Sequence, residues 1–542
     1  MENNIKIKKK MKNEILLLTL FSLISLIYTQ TIIISNCTAL NDMRNNLAAS
    51  YELDRDVDCS SIANFIPVGN QTNIFTGSLN GSNHQISNLM INSNTNYTGL
   101  FGRVSSATIK NIILVDLTVT SSGNQYIATL AGYAVLSTIE NIQLKTSAPT
   151  KKNLITNSDL STLYAGGLVG YADRVSFNNI TIFNTLVNIT SATYLGGKKK
   201  KSYFLMFLFS KLKIGMIGYS TDCTITNCHN VGFSSDPSAQ IVIGGRFVGG
   251  MVGYLRNNFN QQTVSKSGVV QGKVKATLNS GGAMIGIISA TTNITFSELY
   301  SKQNVEVDCG GILNCGGLIG SITFNSMGSF LSFLNCYSRS RVTANLIVGG
   351  LIGFFQTDTY TPVVSFNTVY NSNQVFGNTD RGASIGLITT NNESISSSNF
   401  LFNNQSNPSV PGVGSGNYPS LTTGLNCNQL LAQIGIFNQS IWGGDSLRIE
   451  YNFTDVPNLC DTPTNAPDTS VAPVTTGPST SLVPATNSPA TTLIPSTTPP
   501  STTQPPSTTL PPITQSPTQS PSTQSPVTQT PVTNNPSTPT PS

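Results

Sequence analysis

The chain has 542 residues, of which only 10% are charged, and it carries 45 glycines but a single tryptophan. Low charge with abundant Gly, Asn, Ser and Thr is the composition of a β-rich extracellular protein. The formal charge of +5 misleads, because residues 1–30 hold five Lys against Glu2 and Glu14, and residues 198–215 hold six Lys and no acid. With those blocks set aside the remainder is −4, which excludes a basic, nucleic-acid-seeking surface.

The N-terminus reads as a secretory signal peptide over 1–30: Lys6, Lys8, Lys9, Lys10 and Lys12, then an apolar run from Ile15 to Ile27, then polar sequence. That run is shorter than the roughly 20 apolar residues of a membrane span. No other stretch is long enough, so no span beyond the signal peptide is expected. Residues 31–74 read as an N-terminal cap. In it, Leu40, Met43 and Leu47 fall at helical spacing, and Cys37 and Cys59 are placed to pin the segment over the first coil.

From 75 to 405 a glycine phrase recurs: Gly166–Gly170, Gly249–Gly253, Gly316–Gly320 and Gly349–Gly353 read Gly-Gly-(Leu/Met)-(Ile/Val)-Gly. Looser copies end at Gly102, Gly132, Gly218, Gly286 and Gly386, so most closing glycines lie 30–38 residues apart. Such a period marks one supersecondary unit stacked on copies of itself. Short alternating runs such as Gln85–Ile91, Thr108–Leu114, Val115–Val119 and Val342–Ile347 predict three short strands per coil. The fold expected is an all-β parallel solenoid of about nine coils.

An asparagine travels with the glycines: Asn111, Asn141, Asn179 and Asn227 each stand nine residues after a closing glycine. Asparagine tolerates the left-handed conformation at a strand end, so stacked copies can form a ladder. Asn335 and Asn367 continue the series with slipped spacing, and the coils after Gly253 and Gly286 show no clear counterpart.

One interval, from Gly170 to Gly218, is much longer than the rest. Between Gly197 and Met216 stands KKKKSYFLMFLFSKLKIG; removing that segment restores the phrase as TYLGG-MIGYS and returns the interval to the length of its neighbours. Residues 198–215 are therefore either the translation of a retained intron or a surface loop exposing an apolar run, Tyr203–Phe209.

Residues 406–460, with Cys427, Trp442 and Cys460, read as a C-terminal cap, which a solenoid needs to cover its last strand edges. From 461 to 542 the chain is almost wholly Thr, Pro, Ser, Gln and Asn, a disordered, mucin-like tail.

The nine cysteines fall into close pairs, Cys37 with Cys59, Cys223 with Cys228, Cys309 with Cys315 and Cys427 with Cys460, leaving Cys336 over. In a secreted chain these are expected to be disulfides. Zinc is the rival reading, but there are two histidines, His84 and His229, and no paired Cys-x-x-Cys, so no metal or cofactor is expected. Candidate N-glycosylation sites are Asn36, Asn70, Asn80, Asn96, Asn179, Asn188, Asn293, Asn392, Asn404, Asn438 and Asn452.

The block Phe75–Ile86 with GLFG at Gly99–Gly102, and the nine GLxG-like phrases in register, resemble the GLUG-motif repeat proteins across about residues 35–460. That resemblance implies a right-handed parallel β-helix with an adhesin-like or surface-coat role, secreted or on the cell surface, facing an extracellular glycan or protein. It carries over no catalytic residues, so a chain that is not an enzyme is expected. The alternative is a polysaccharide-acting, pectinase-like hydrolase or lyase: Asn378-Thr379-Asp380 copies one short signature of polygalacturonases, but the companion signatures are absent. Hydrolases of that kind need clustered carboxylates. Here Glu306 and Asp308 alone share a strand face, and beside Cys309 they read as a solvated turn.

Overall fold

The computed structural model describes residues 12–14, 31–122, 125–157, 164–188, 213–232, 240–244, 246–259, 261–277, 279–310, 314–326, 328–357, 362–371, 374–389, 394–404, 409–416, 418, 420–426 and 429. The expected signal peptide apart from 12–14, most of the expected C-terminal cap including the expected Cys427–Cys460 pair, the expected mucin-like tail, and the sequons at Asn392, Asn438 and Asn452 lie outside the described residues.

The chain is a parallel β-solenoid. Each coil contains a strand bearing the glycine phrase, such as Ala131–Val135, then a long strand such as Thr138–Lys145, then a third such as Asn153–Asn157. Every strand pairs in parallel with its counterpart one coil away: Ile139 stands over Ile109, and Phe177 over Ile139. The strands form two sheets, the glycine-phrase strands in one and the long and third strands in the other.

The stack begins earlier and ends later than the sequence pattern suggests. Ile32–Ile34, Ser50–Leu53 and Ser78–Asn80 already pair in parallel and lead into Thr108–Val115, inside the segment expected to be only a cap. The helix expected there runs from Cys37 to Asp42, continues as a 3₁₀ turn at Met43–Asn45, and buries Leu40 and Met43. Asn36 caps it by accepting a hydrogen bond from the Ala39 amide at 2.9 Å, the ordinary role of Asn at a helix start. At the far end Val413–Ser415 and Thr423–Leu425 add one more coil.

The glycine column has a steric cause. A Cβ built on Gly353 would stand 2.6 Å from the carbonyl oxygen of Gly320, one on Gly320 2.5 Å from that of Gly286, and one on Gly170 2.7 Å from that of Gly132. Successive coils approach so closely on this corner that only hydrogen fits at Cα. Gly69 and Gly414 extend the column at its two ends, where the motif is too degenerate to recognise. Inward from the glycines, Leu100, Leu130, Leu168, Met216, Met251, Met284, Leu318 and Leu351 form one column of a fully buried core. Each such side chain contributes roughly 1.5–3 kcal/mol on burial.

The asparagine position is the most regular feature of the coil. Asn111, Asn141, Asn179 and Asn227 all have φ between 54° and 56°, and Asn335 has φ 52°. In the coils without a recognisable counterpart, Lys266 (φ 50°) and Glu298 (φ 56°) hold the place, and in the coil after Asn335 it is Thr368 (φ 54°), not Asn367. Neighbouring strands impose the left-handed kink even where the side chain does not favour it. The same kinks divide two of the expected strands, at Asn88 and at Asp116.

Candidate interaction surface

A double row of tyrosines marks the outer face of the glycine-phrase sheet. One row stacks Tyr97, Tyr126 and Tyr164, with ring centroids 5.1 Å apart at each step. The other stacks Tyr133, Tyr171, Tyr219 and Tyr254 at 4.5, 4.8 and 5.1 Å. Across the rows the rings meet edge to face, Tyr126 on Tyr133 at 5.1 Å and Tyr164 on Tyr171 at 5.3 Å. Offset stacking within rows and edge contacts between them are the two favoured aromatic geometries, worth about 0.5–1.5 kcal/mol per pair. The Arg103 guanidinium covers Tyr133, its carbon 5.1 Å from the ring centroid. At the other end Phe247 meets Tyr254 edge-on at 5.5 Å.

Most of these rings are half-buried, flanked by one another and with an edge toward solvent. Burial pushes the Tyr164 phenol up to about 12 and raises Tyr126, Tyr133, Tyr171 and Tyr254 as well. Those five phenols therefore stay neutral at physiological pH. The sequence holds a signal for one row, the Gly-Tyr dipeptides at 132–133, 170–171, 218–219 and 253–254, masked because the tyrosines sit just outside the glycine phrase.

The asparagine ladder runs on the other sheet. Asn111, Asn141, Asn179 and Asn227 each donate Nδ2 to the Oδ1 of the asparagine one coil below, at 3.0, 2.8, 2.9 and 3.1 Å, starting from Asn80. At its top Asn227 Oδ1 meets His229 Nε2 at 3.1 Å, and His229 Nδ1 meets the Tyr300 hydroxyl at 2.9 Å. The ladder is exposed at Asn141 and Asn179, so the Asn179 sequon is accessible although its amide is engaged. Of the other described sequons, Asn36, Asn70, Asn96, Asn293 and Asn404 are exposed, whereas Asn80 and Asn188 are half-buried.

Two expected disulfides are formed, Cys37–Cys59 and Cys309–Cys315, with Cα atoms 5.1 and 6.2 Å apart. The Cys223–Cys228 pairing is not: both are free and buried, as is Cys336. Cys228 lies within the strand Thr224–Gly232 and Cys223 immediately before it. Five residues of extended chain carry them on the order of 15 Å apart, beyond disulfide reach. Cys223 instead occupies a coil corner: its thiol donates to the Thr221 carbonyl and accepts from the Val175 amide, as the Ser137 hydroxyl does with Val135 and Ala107. Burial pushes Cys223 up to about 11 and Cys228 and Cys336 to about 12, leaving all three unreactive as thiols.

Glu306 and Asp308 lie on the strand Tyr300–Cys309 and not in a turn; Lys273, one coil below, reaches Glu306 at 2.9 Å and Asp308 at 3.3 Å. Asp380 accepts from the Ser415 hydroxyl. Among the described residues no helix is long and apolar enough to cross a membrane.

Residues 35–146 match the family model of the M26 IgA1-specific metallo-endopeptidase N-terminal region. Halomucin of Haloquadratum walsbyi is 33% identical over 141 residues, 23% of this chain, and the chain spans about 1% of halomucin's length. A crystal structure named "putative immunoglobulin A1 protease", from Bacteroides ovatus, superposes over 61% of this chain and 84% of its own, with 16% identity and a TM-score of 0.35. The family match overturns the expectation that the chain is not an enzyme: it points toward a peptidase. A metallopeptidase zinc site takes two histidines and a carboxylate, typically with His-Glu-x-x-His on one helix. The chain's two histidines lie in different coils, His84 3.3 Å from Asp56 and His229 held by Asn227 and Tyr300. No group of three His, Cys, Asp or Glu side chains is gathered among the described residues, so they do not fit a catalytic zinc.

Proposed function

We propose that the chain works outside the cell as a solenoid of GLUG-type repeats that engages an extracellular protein or glycan through its tyrosine face. The observation that carries this reading is the pair of registered tyrosine rows. The glycine column and aliphatic core already account for stacking, yet seven aromatic side chains are arrayed on the outside of a few consecutive coils. Tyrosine combines a large apolar body with a hydrogen-bonding tip and little conformational entropy, which is why it is enriched in recognition surfaces. The similarity to halomucin supports an extracellular setting. A second reading, favoured by the family match over 35–146, is that the chain belongs to a peptidase in which the solenoid presents the substrate.

One experiment addresses both. The full chain is applied to a glycan array and to immobilised extracellular glycoproteins, immunoglobulin A1 included, and the bound proteins are then examined for cleavage with and without added zinc. Binding that is lost in Tyr133→Ala/Tyr171→Ala supports the face. Binding indifferent to those substitutions removes it, and cleavage by the intact chain establishes the peptidase reading.

A further inference from the structure

The coil entered at Lys213 is irregular in three ways that share one remedy. The first is the connection leading into it. Third strands pass to the next glycine-phrase strand through residues 94–96, 122–125 and 158–163 in the coils beneath, but through 189–212 before Lys213. A connection of that length is far outside the usual range in a compact repeat.

The second is the register. Tyr164, Ala165 and Gly166 pair with Lys213, Ile214 and Gly215, and pairing then shifts before Val169 meets Ile217. Three residues, 166–168, separate the paired Ala165 and Val169, and 249–251 separate Val248 and Val252 above; only 215–216 separate Ile214 and Ile217. The coil at Thr98 to Phe101 also has the shorter count, so the spacing is tolerated. The length of the connection has no such precedent at this corner of the coils beneath.

The third is chemical. Tyr97, Tyr126 and Tyr164 occupy successive places in one aromatic row, Phe247 occupies the place after next, and Lys213 stands between Tyr164 and Phe247. A cationic residue separates the three tyrosines from Phe247, after which the column continues as Ser280 and Asn314.

We infer that the mature protein lacks residues 198–215 and that Tyr194 then fills the open place in the tyrosine row. Without that segment the connection shrinks to 189–193. Tyr194 aligns with Tyr164, Leu195 takes the inward apolar position of Ala165, and Gly196, Gly197 and Met216 supply the three residues needed before Ile217. The glycine pair of the repeat returns, and the Gly170-to-Gly218 interval falls to that between Gly102 and Gly132. The segment's Lys, Phe, Leu and Ile content suits translation of an A/T-rich stretch. A GGT-AAR at Gly197–Lys198 and an ATA-GGN at Ile214–Gly215 would supply GTAAR and ATAG splice ends, in frame, with the split glycine codon rejoining as glycine. The inference concerns the fold and stands whether or not the tyrosine face binds a ligand.

The test begins with the transcript and the mature protein. Complementary DNA spanning codons 190–222 is expected to lack codons 198–215 of the gene, and a peptide containing Leu195-Gly-Gly-Met216 should appear by mass spectrometry. Messages and peptides reading through Lys198–Lys213 would overturn the inference, as would a gene whose Gly197 codon is not GGT. In recombinant protein, the chain without 198–215 is expected to melt several degrees above the chain containing them. A lower midpoint for the shortened chain argues that the segment belongs to the fold and overturns the inference.

Discussion

Gly353 lies directly against Gly320 one coil away: a Cβ on Gly353 would stand 2.6 Å from the Gly320 carbonyl oxygen and 2.5 Å from that of Cys315. Both obstacles are backbone, so relief requires the coils themselves to part. Gly353→Ala is expected to cost about 1–3 kcal/mol, the usual range for overpacking. Gly310→Ala, where the nearest atom within range is Asp308 Oδ1 at 3.9 Å, should be close to neutral. Thermal or denaturant midpoints compare the two; equal midpoints would show that the column is not close-packed.

The asparagine ladder combines two effects that substitution can separate. Asn141 has φ 54°, donates to Asn111 at 2.8 Å and accepts from Asn179 at 2.9 Å. Asn141→Gly removes the hydrogen bonds but keeps the left-handed backbone at ease, whereas Asn141→Ala also places a Cβ in that conformation, at a further cost of about 1–2 kcal/mol. The alanine variant is expected to be the less stable of the two by denaturation. The reverse order would mean that the left-handed kink does not govern this position.

Alkaline titration reads the tyrosine slab. Burial raises the phenol pKa values in the fold above the ordinary 10.0, to about 12 for Tyr164. As pH rises past 10, phenols of the unfolded chain ionise first, so stability is full below pH 10 and is lost progressively between about 10 and 12. Phenolate absorbance in the native protein should show a group of tyrosines ionising late, in step with unfolding. A single transition near 10 from all tyrosines of the folded chain would contradict the stacked arrangement.

The thiols divide into two classes. Cys223, Cys228 and Cys336 are expected to resist alkylation in the native state and to react after denaturation without reductant, while Cys37–Cys59 and Cys309–Cys315 react only after reduction. Peptide mapping checks the assignment; a Cys223–Cys228 linked peptide would refute it. Cys37→Ser, which opens a bridge with a sequence separation of 22, should cost about 2–4 kcal/mol.

The repeat period, the glycine column and the inward aliphatic positions were legible in the chain because each is a local requirement. A corner that admits no Cβ must be glycine in nearly every coil, and a strand lining a dry core must place apolar residues at fixed offsets. What lies one coil away is not local. Cys223 and Cys228 are neighbours in sequence yet separated along a strand, Lys266 and Glu298 adopt the asparagine kink without its side chain, and Tyr133 meets Tyr171 from the next coil. Those relationships depend on parallel register, which connections of unequal length reset in every coil. Hydrogen bonding between complete coils decides the register, and with it the tyrosine face.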